Sequence, residues 1–191
     1  MGAAPNFGAL SAVDITNTGS TAIKGDIGTT GTSITGFPPG TYTESEYLAT
    51  NATAALNAVH AAYDAIAALP GAITLTGDLR SQVLSPGVYT YSGSAQLTGH
   101  LTLAGTSDCN DAWYFQIGSN LTTSIEPSIG RTGGALGPVF WNVGTSATVG
   151  EDTDFIGNII AQISVTLNSG SYIHGRVFAL EESITMSSNV V

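Results

Sequence analysis

Polar and apolar positions alternate with period two over many short stretches of this chain, and one longer stretch keeps a different period. Ser146-Ala147-Thr148-Val149, Ser164-Val165-Thr166-Leu167 and Ser183-Ile184-Thr185-Met186 each put apolar residues on one side and hydroxyls on the other, the pattern of a half-buried β-strand. They start 18 and 19 residues apart. A second pattern, apolar-x-Gly-x-apolar, recurs around Gly25, Gly77, Gly99, Gly157 and Gly175, and the last two are again 18 residues apart. A short strand cannot bury its apolar side alone, whereas equivalent strands stacked about 4.8 Å apart build a continuous core. The repeat therefore predicts a β-solenoid with two or three short strands per turn. Glycine marks corners where a side chain would clash or φ must be positive. A sandwich of hairpins is the alternative, but the Asn-Gly and Asp-Gly pairs that make tight hairpin turns are absent.

The exception runs over 44–69. Leu48, Ala52, Ala55, Leu56, Val59, Ala62, Tyr63, Ile66 and Leu69 form a stripe of period 3.6, with Thr50, Thr53, Asn57, His60 and Asp64 opposite. Thr43 with Glu46 has capping-box spacing and Pro70-Gly71 supplies a stop. Such a helix is about 39 Å long, similar to six or seven coils stacked at about 4.8 Å, so it is expected along one face of the solenoid. Strand repeats occur on both sides of it. The expected organisation is one domain over 1–191, with N-terminal coils in 7–43, the helix in 44–69 and the remaining coils in 72–191. The N-terminal coil must then pack beside coils made later in the chain.

Composition narrows the function. Of 191 residues only 9% are charged, against about 25% in ordinary domains. The net charge is −10, with Lys24, Arg80, Arg131 and Arg176 the only basic residues besides histidine. Nucleic acid and anionic membrane are thereby excluded as partners, since both need clustered Lys and Arg. The polar surface is instead hydroxyl, with 25 Thr and 19 Ser beside 24 Gly. A lone cysteine, Cys109, forbids an internal disulfide network and reads as a free buried thiol. No apolar run approaches the roughly 18 residues of a membrane span, and the N-terminus shows no secretory signal. Asn51-Ala52-Thr53 and Asn120-Leu121-Thr122 are sequons, compatible with secretion.

Little in the chain points to catalysis or to a cofactor or metal. His60, His100 and His174 read as solvated scaffold positions, and no zinc-protease, nucleophile-elbow or phosphate-loop motif occurs. Glu44/Glu46, Glu151/Asp152/Asp154 and Glu181/Glu182 are the candidate glycosidase pairs, which must face each other across a cleft; they read better as solvated turn residues. What remains is the surface itself. Thr18-Gly19-Ser20-Thr21, Ser92-Gly93-Ser94-Ala95, Glu151-Asp152-Thr153-Asp154, Ser169-Gly170-Ser171-Tyr172 and Ser187-Ser188-Asn189-Val190 recur at corresponding places. Stacked, they predict a flat, sparsely charged face with side chains on a lattice of about 4.8 by 6.6 Å, comparable to the repeat of ordered water in ice. A merely soluble solenoid face explains the same hydroxyls.

The chain resembles the ice-binding (antifreeze) protein family. The resemblance is carried by Gly25-Asp26-Ile27-Gly28, Leu75-Thr76-Gly77-Asp78-Leu79, Ser85-Pro86-Gly87-Val88-Tyr89, Asp111-Ala112-Trp113-Tyr114-Phe115-Gln116-Ile117 and Val139-Phe140-Trp141-Asn142-Val143-Gly144 with Ser146-Ala147-Thr148, and covers 7–191. It implies a discontinuous right-handed β-helix with one long α-helix alongside. It also implies secretion, no enzymatic activity, and adsorption to ice that produces thermal hysteresis and inhibits recrystallisation. Some members use a Thr-Ala/Gly-x-Thr/Asn pattern on one flat face. Thr18-Gly19-Ser20-Thr21 fits it; Ser169-Gly170-Ser171-Tyr172 and Glu151-Asp152-Thr153-Asp154 depart from it. The candidate ice-binding residues are thus Thr18, Ser20, Thr21, Ser92, Ser94, Thr153, Ser169, Ser171, Tyr172, Ser187 and Asn189 on a monomer. Thr21→Tyr is expected to weaken ice binding without changing the melt. The Ser146/Thr148, Ser164/Thr166 and Ser183/Thr185 columns are a competing face. A carbohydrate-active β-helix enzyme and an adhesion module are the rival functions.

Overall fold

The computed structural model describes residues 2–191 apart from Ser107, Cys109, Ala135 and Leu136, so the expected burial of Cys109 lies outside the described residues. Among the described residues, 23 short strands form sheets of nine, seven, five and two strands beside one α-helix, and every strand pairing is parallel. The chain visits the three large sheets in rotation. Val139–Val143 lies in the nine-stranded sheet, Ala147–Val149 in the seven-stranded and Asp154–Ile156 in the five-stranded. The next pass, Asn158–Ala161, Val165–Leu167 and Tyr172–His174, pairs with the first in the same three sheets. This rotation is the physical origin of the 18-residue step.

The sequence is spliced at one level. Phe7–Ser11 sits between Val177–Ala179 and Asp26–Thr29, and Asp14–Thr18 between Ile184–Ser187 and Ser33–Thr35. The first strands thus join the last ones, as the split repeat requires.

Inward side chains form one core between the sheets. Tyr89, Phe115 and Trp141 occupy the same register position on neighbouring strands. Phe115 and Trp141 stack at 3.9 Å and 3°, a geometry parallel register imposes on aromatic neighbours. Both indoles are satisfied: Trp113 Nε1 donates to the Leu84 carbonyl and Trp141 Nε1 to that of Ile156, each at 3.0 Å.

Close stacking explains the corner glycines. A Cβ at Gly175 would stand 2.0 Å from the Gly157 carbonyl oxygen on the neighbouring pass, a backbone atom with nowhere to go. Gly175→Ala is therefore expected to lower stability by about 3 kcal/mol, read as a shifted denaturant midpoint with unchanged slope.

The helix runs Thr50–Ala67, shorter than the expected 44–69. Glu46–Leu48 is instead a strand paired with Asp26–Thr29. The capping-box residues serve elsewhere: Thr43 Oγ1 accepts from the Gly25 N–H at 2.8 Å, and the Glu46 carboxylate accepts from Tyr42 Oη at 3.3 Å. The buried stripe is Ala52, Ala55, Leu56, Val59 and Ile66. It packs on Leu10, Phe178 and Ile160, the outward residues of the nine-stranded sheet, in a second apolar cluster. Gln116 Nε2 from that sheet donates to the carbonyls of Ile66 at 2.7 Å and Leu69 at 3.1 Å, satisfying carbonyls that a helix end leaves orphaned. No helix among the described residues is long and apolar enough to cross a membrane.

Candidate functional site

The three large sheets present different outer surfaces. The nine-stranded one is covered by the helix. Beside the five-stranded one lies a cleft of about 950 Å³ whose lining includes Lys24, Glu44, Tyr47, Tyr172, His174 and Arg176. There the exposed His174 imidazole lies 3.1 Å from the Asp154 carboxylate. The seven-stranded surface is of another kind.

Its strands lie in the spatial order Ala95–Leu97, Leu121–Thr123, Ala147–Val149, Val165–Leu167, Ile184–Ser187, Asp14–Thr18 and Ser33–Thr35. Pairing aligns the outward residue of each into one row: Gln96, Thr122, Thr148, Thr166, Thr185, Thr16 and Thr35. The chain neighbours of these threonines face inward. Ala147, Val149, Val165, Leu167, Ile184 and Met186 are all buried, so strand alternation leaves the threonines outside. Two residues earlier along each strand lie Ser94, Asn120, Ser146, Ser164, Ser183, Asp14 and Ser33. Two residues later lie Thr98, Ser124, Gly150, Asn168, Ser187 and Thr18. Three rows of mostly small polar groups result, spaced about 4.8 Å between strands and about 6.6 Å along them; the later one is interrupted at the buried Gly150 and ends before Phe37, which packs against the core. Hydrogen bonds within a margin hold it in order: Ser164 Oγ donates to Ser146 Oγ at 3.0 Å, and Thr145 Oγ1 to Asn120 Oδ1 at 2.5 Å.

A buried polar seam stiffens the edge next to the five-stranded sheet. Asn189 Nδ2 donates to the Asn168 carbonyl at 2.6 Å and to Ser171 Oγ at 2.8 Å, while Asn189 Oδ1 accepts from the Ser187 N–H at 2.6 Å. The Asn189 N–H reaches Thr21 Oγ1 at 3.1 Å, and that hydroxyl donates to Asn17 Oδ1 at 2.5 Å. Asn17 Nδ2 continues to the carbonyls of Gly19 at 2.8 Å and Gly36 at 2.9 Å. Farther along, Thr153 Oγ1 donates to the Gly150 carbonyl at 2.7 Å and lies 3.0 Å from Thr123 Oγ1. Satisfied buried networks of this kind fix local geometry. One free edge of the sheet is finished by Asp78, bridged to Gln96. Its carboxylate accepts from Thr98 Oγ1 and from the N–H groups of Arg80 and Thr98. Burial works to raise the Asp78 carboxyl, but these hydrogen bonds and the Arg80 charge hold it below the usual value.

The eleven residues singled out in the sequence do not share one surface. Thr18 and Ser187 pair with each other on the later margin, and Ser94 stands on the earlier one. Ser20, Ser92 and Ser169 are exposed in the connecting turns. Tyr172 is on the five-stranded sheet, 45% exposed, its ring 4.6 Å from that of His174 at the cleft. Thr21, Thr153, Ser171 and Asn189 are each only 1% exposed, members of the seam and not of an outer face. Their turns bend inward, and their polar groups satisfy backbone and one another. Thr21→Tyr would accordingly disrupt the fold and cannot serve as a silent surface probe. Of the central row, the competing columns already contain Thr148, Thr166 and Thr185. Gln96, Thr122, Thr16 and Thr35 were missed. The signal for the threonines was present as Ser/Asn/Asp-apolar-Thr at Asn120-Leu121-Thr122, Asp14-Ile15-Thr16 and Ser33-Ile34-Thr35.

A family model described as ice-binding-like matches residues 9–191. The chain belongs to this family. Among curated members, an ice-binding protein of Nostoc sp. is 46% identical over an alignment spanning 100% of this chain and 72% of its own length. The crystal structure of an ice-binding protein from the Antarctic ascomycete Antarctomyces psychrotrophicus superposes with a TM-score of 0.93 at 39% identity, covering 100% of this chain and 95% of that one. That of an ice-binding protein from an Antarctic biological consortium gives 0.91 at 34% identity, over 97% and 86% of the two chains. The family membership thus agrees with the resemblance carried by the sequence motifs.

Proposed function

We propose that this protein adsorbs to ice through the outer face of its seven-stranded sheet, acting as a secreted monomer whose three stacked sheets are the sides of a discontinuous β-helix. The observation that carries this reading is the register-locked row of six threonines with Gln96 at its end, on the large sheet that is neither covered by the helix nor hollowed by the cleft. Each threonine offers a hydroxyl and a methyl at a spacing set by the strands. Water held between them takes ice-like positions before contact, and ordered bridging waters cost little, about 0–2 kcal/mol each. Because the groups are already fixed by sheet and seam, their ordering entropy is not lost on adsorption. Ice pinned between adsorbed molecules must grow as curved bulges, which lowers the local freezing point and slows recrystallisation.

Observation of a single ice crystal in a nanolitre droplet tests the reading. Faceted crystals and a gap between melting and freezing points are expected; rounded crystals growing without a gap would overturn it. Asp14 is the one formal charge within the three rows, Asp78 standing at their edge beside Gln96, and a carboxylate resists losing its water. Asp14→Asn is expected to raise hysteresis about twofold, because a neutral amide is cheaper to bring against ice than an ion.

A further inference from the structure

Of the two sequons, one stands on the face assigned above to ice. In a strand the asparagine and the threonine of Asn-x-Thr, two residues apart, point to the same side. In the seven-stranded sheet, Asn120 therefore lies on the earlier margin and Thr122 in the central row, with Leu121 buried between them. Asn120 is exposed in the bend before the strand. Its Oδ1 is engaged by Thr145 Oγ1 at 2.5 Å and the Ser146 N–H at 3.4 Å. Its Nδ2 has no hydrogen-bond partner among the described residues. Asn51 is different. It is exposed in the first turn of the helix, over the nine-stranded sheet, while the neighbouring Ala52 packs inward.

We propose that Asn120 is an N-glycan acceptor whose occupation closes the ice-binding face, and that Asn51 is an acceptor whose occupation leaves that face open. The proposal rests on the face reading given above. In the acceptor reaction Nδ2 attacks the anomeric carbon of a lipid-linked oligosaccharide on its transferase. The C–N bond forms, the bond from that carbon to the pyrophosphate oxygen breaks with its electron pair leaving on the lipid pyrophosphate, and the amide proton passes to the transferase. No redox change is involved. A hydrated, mobile oligosaccharide rooted between Ser94 and Ser146 stands above a lattice whose function requires flat contact. The same addition at Asn51 extends from the helix side.

The test compares each protein secreted from a glycosylating yeast with the same protein made in a bacterium that lacks N-glycosylation. Intact-mass and peptide analysis assign the occupied sites. Asn51→Gln, carrying sugar on Asn120 only, is expected to show hysteresis at least about fivefold below its own unglycosylated form, as a steric block requires. Asn120→Gln, carrying sugar on Asn51 only, is expected to stay within about twofold of its own unglycosylated form. An unmodified Asn120 in the secreted protein, or an occupied Asn120 with unchanged hysteresis, overturns the inference. If the glycan has no effect while bacterial Thr148→Tyr is inactive, this inference alone falls. If neither changes hysteresis, the face reading falls with it.

Discussion

Thr148→Tyr is expected to reduce thermal hysteresis about tenfold or more, with the melt nearly unchanged. Thr148 is near the middle of the central row, between Thr122 and Thr166. A phenol there projects beyond the level of its neighbours and holds the whole plane away from the crystal, so the loss extends beyond one contact. The backbone at this position is an ordinary strand whose inward neighbours Ala147 and Val149 keep their packing. A surface change of this kind shifts stability by less than about 0.5 kcal/mol, or about 1–2 °C in a chain of this size. Hysteresis measured beside a circular-dichroism melt separates the two effects. Full activity in the variant would show that ice is held elsewhere, with the hydroxyl-rich turns around Ser20 and Ser169 the next candidates.

A large effect on stability is expected at Asn189. This carboxamide is 1% exposed and joins two neighbouring turns through its contacts with Asn168, Ser171 and Ser187. Asn189→Ala removes those bonds and leaves the buried Ser171 hydroxyl, together with the half-buried Asn168 carbonyl and Ser187 N–H, without their partner. Unsatisfied buried groups cost about 1–3 kcal/mol each. Relaxation and water entry recover part of this, giving a net loss of about 3 kcal/mol and a melting temperature lower by about 6–12 °C. A fall of less than about 2 °C would mean the seam contributes little. Asn189→Asp, which keeps the acceptor for Ser187 but loses the amide donor, is expected to fall between the alanine variant and the wild type.

Much of the stacking was legible because it obeys local rules. The Ser-apolar-Thr units at Ser146, Ser164 and Ser183 follow at steps of 18 and 19, since no more than one residue is inserted between them. Asn120-Leu121-Thr122 is 26 residues before Ser146-Ala147-Thr148, because the intervening pass carries a longer excursion, and that offset hid its place in the row. Asp14-Ile15-Thr16 was hidden differently: its neighbour is Ile184–Ser187, from the far end of the chain. The seam was misread for a chemical reason. Thr21, Ser171 and Asn189 have the polarity of surface residues, and only the inward bend of their turns shows that they bond to one another. The helix start was misplaced because Glu46–Leu48 found its backbone partners on Asp26–Thr29, a competition that 3.6-residue periodicity does not register.

The splice between the first and last strands also dictates when the molecule becomes competent. Thr16 and Thr35 join their row only through Thr185, so a nascent chain emerging from the ribosome carries two orphan segments of its working surface until the stretch through Ser187 has been made. Those segments must wait, unfolded or held, until the stretch through Ser187 arrives to receive them. A truncation that stops short of this stretch would remove more than the final pass: it would strand the opening third of the polypeptide.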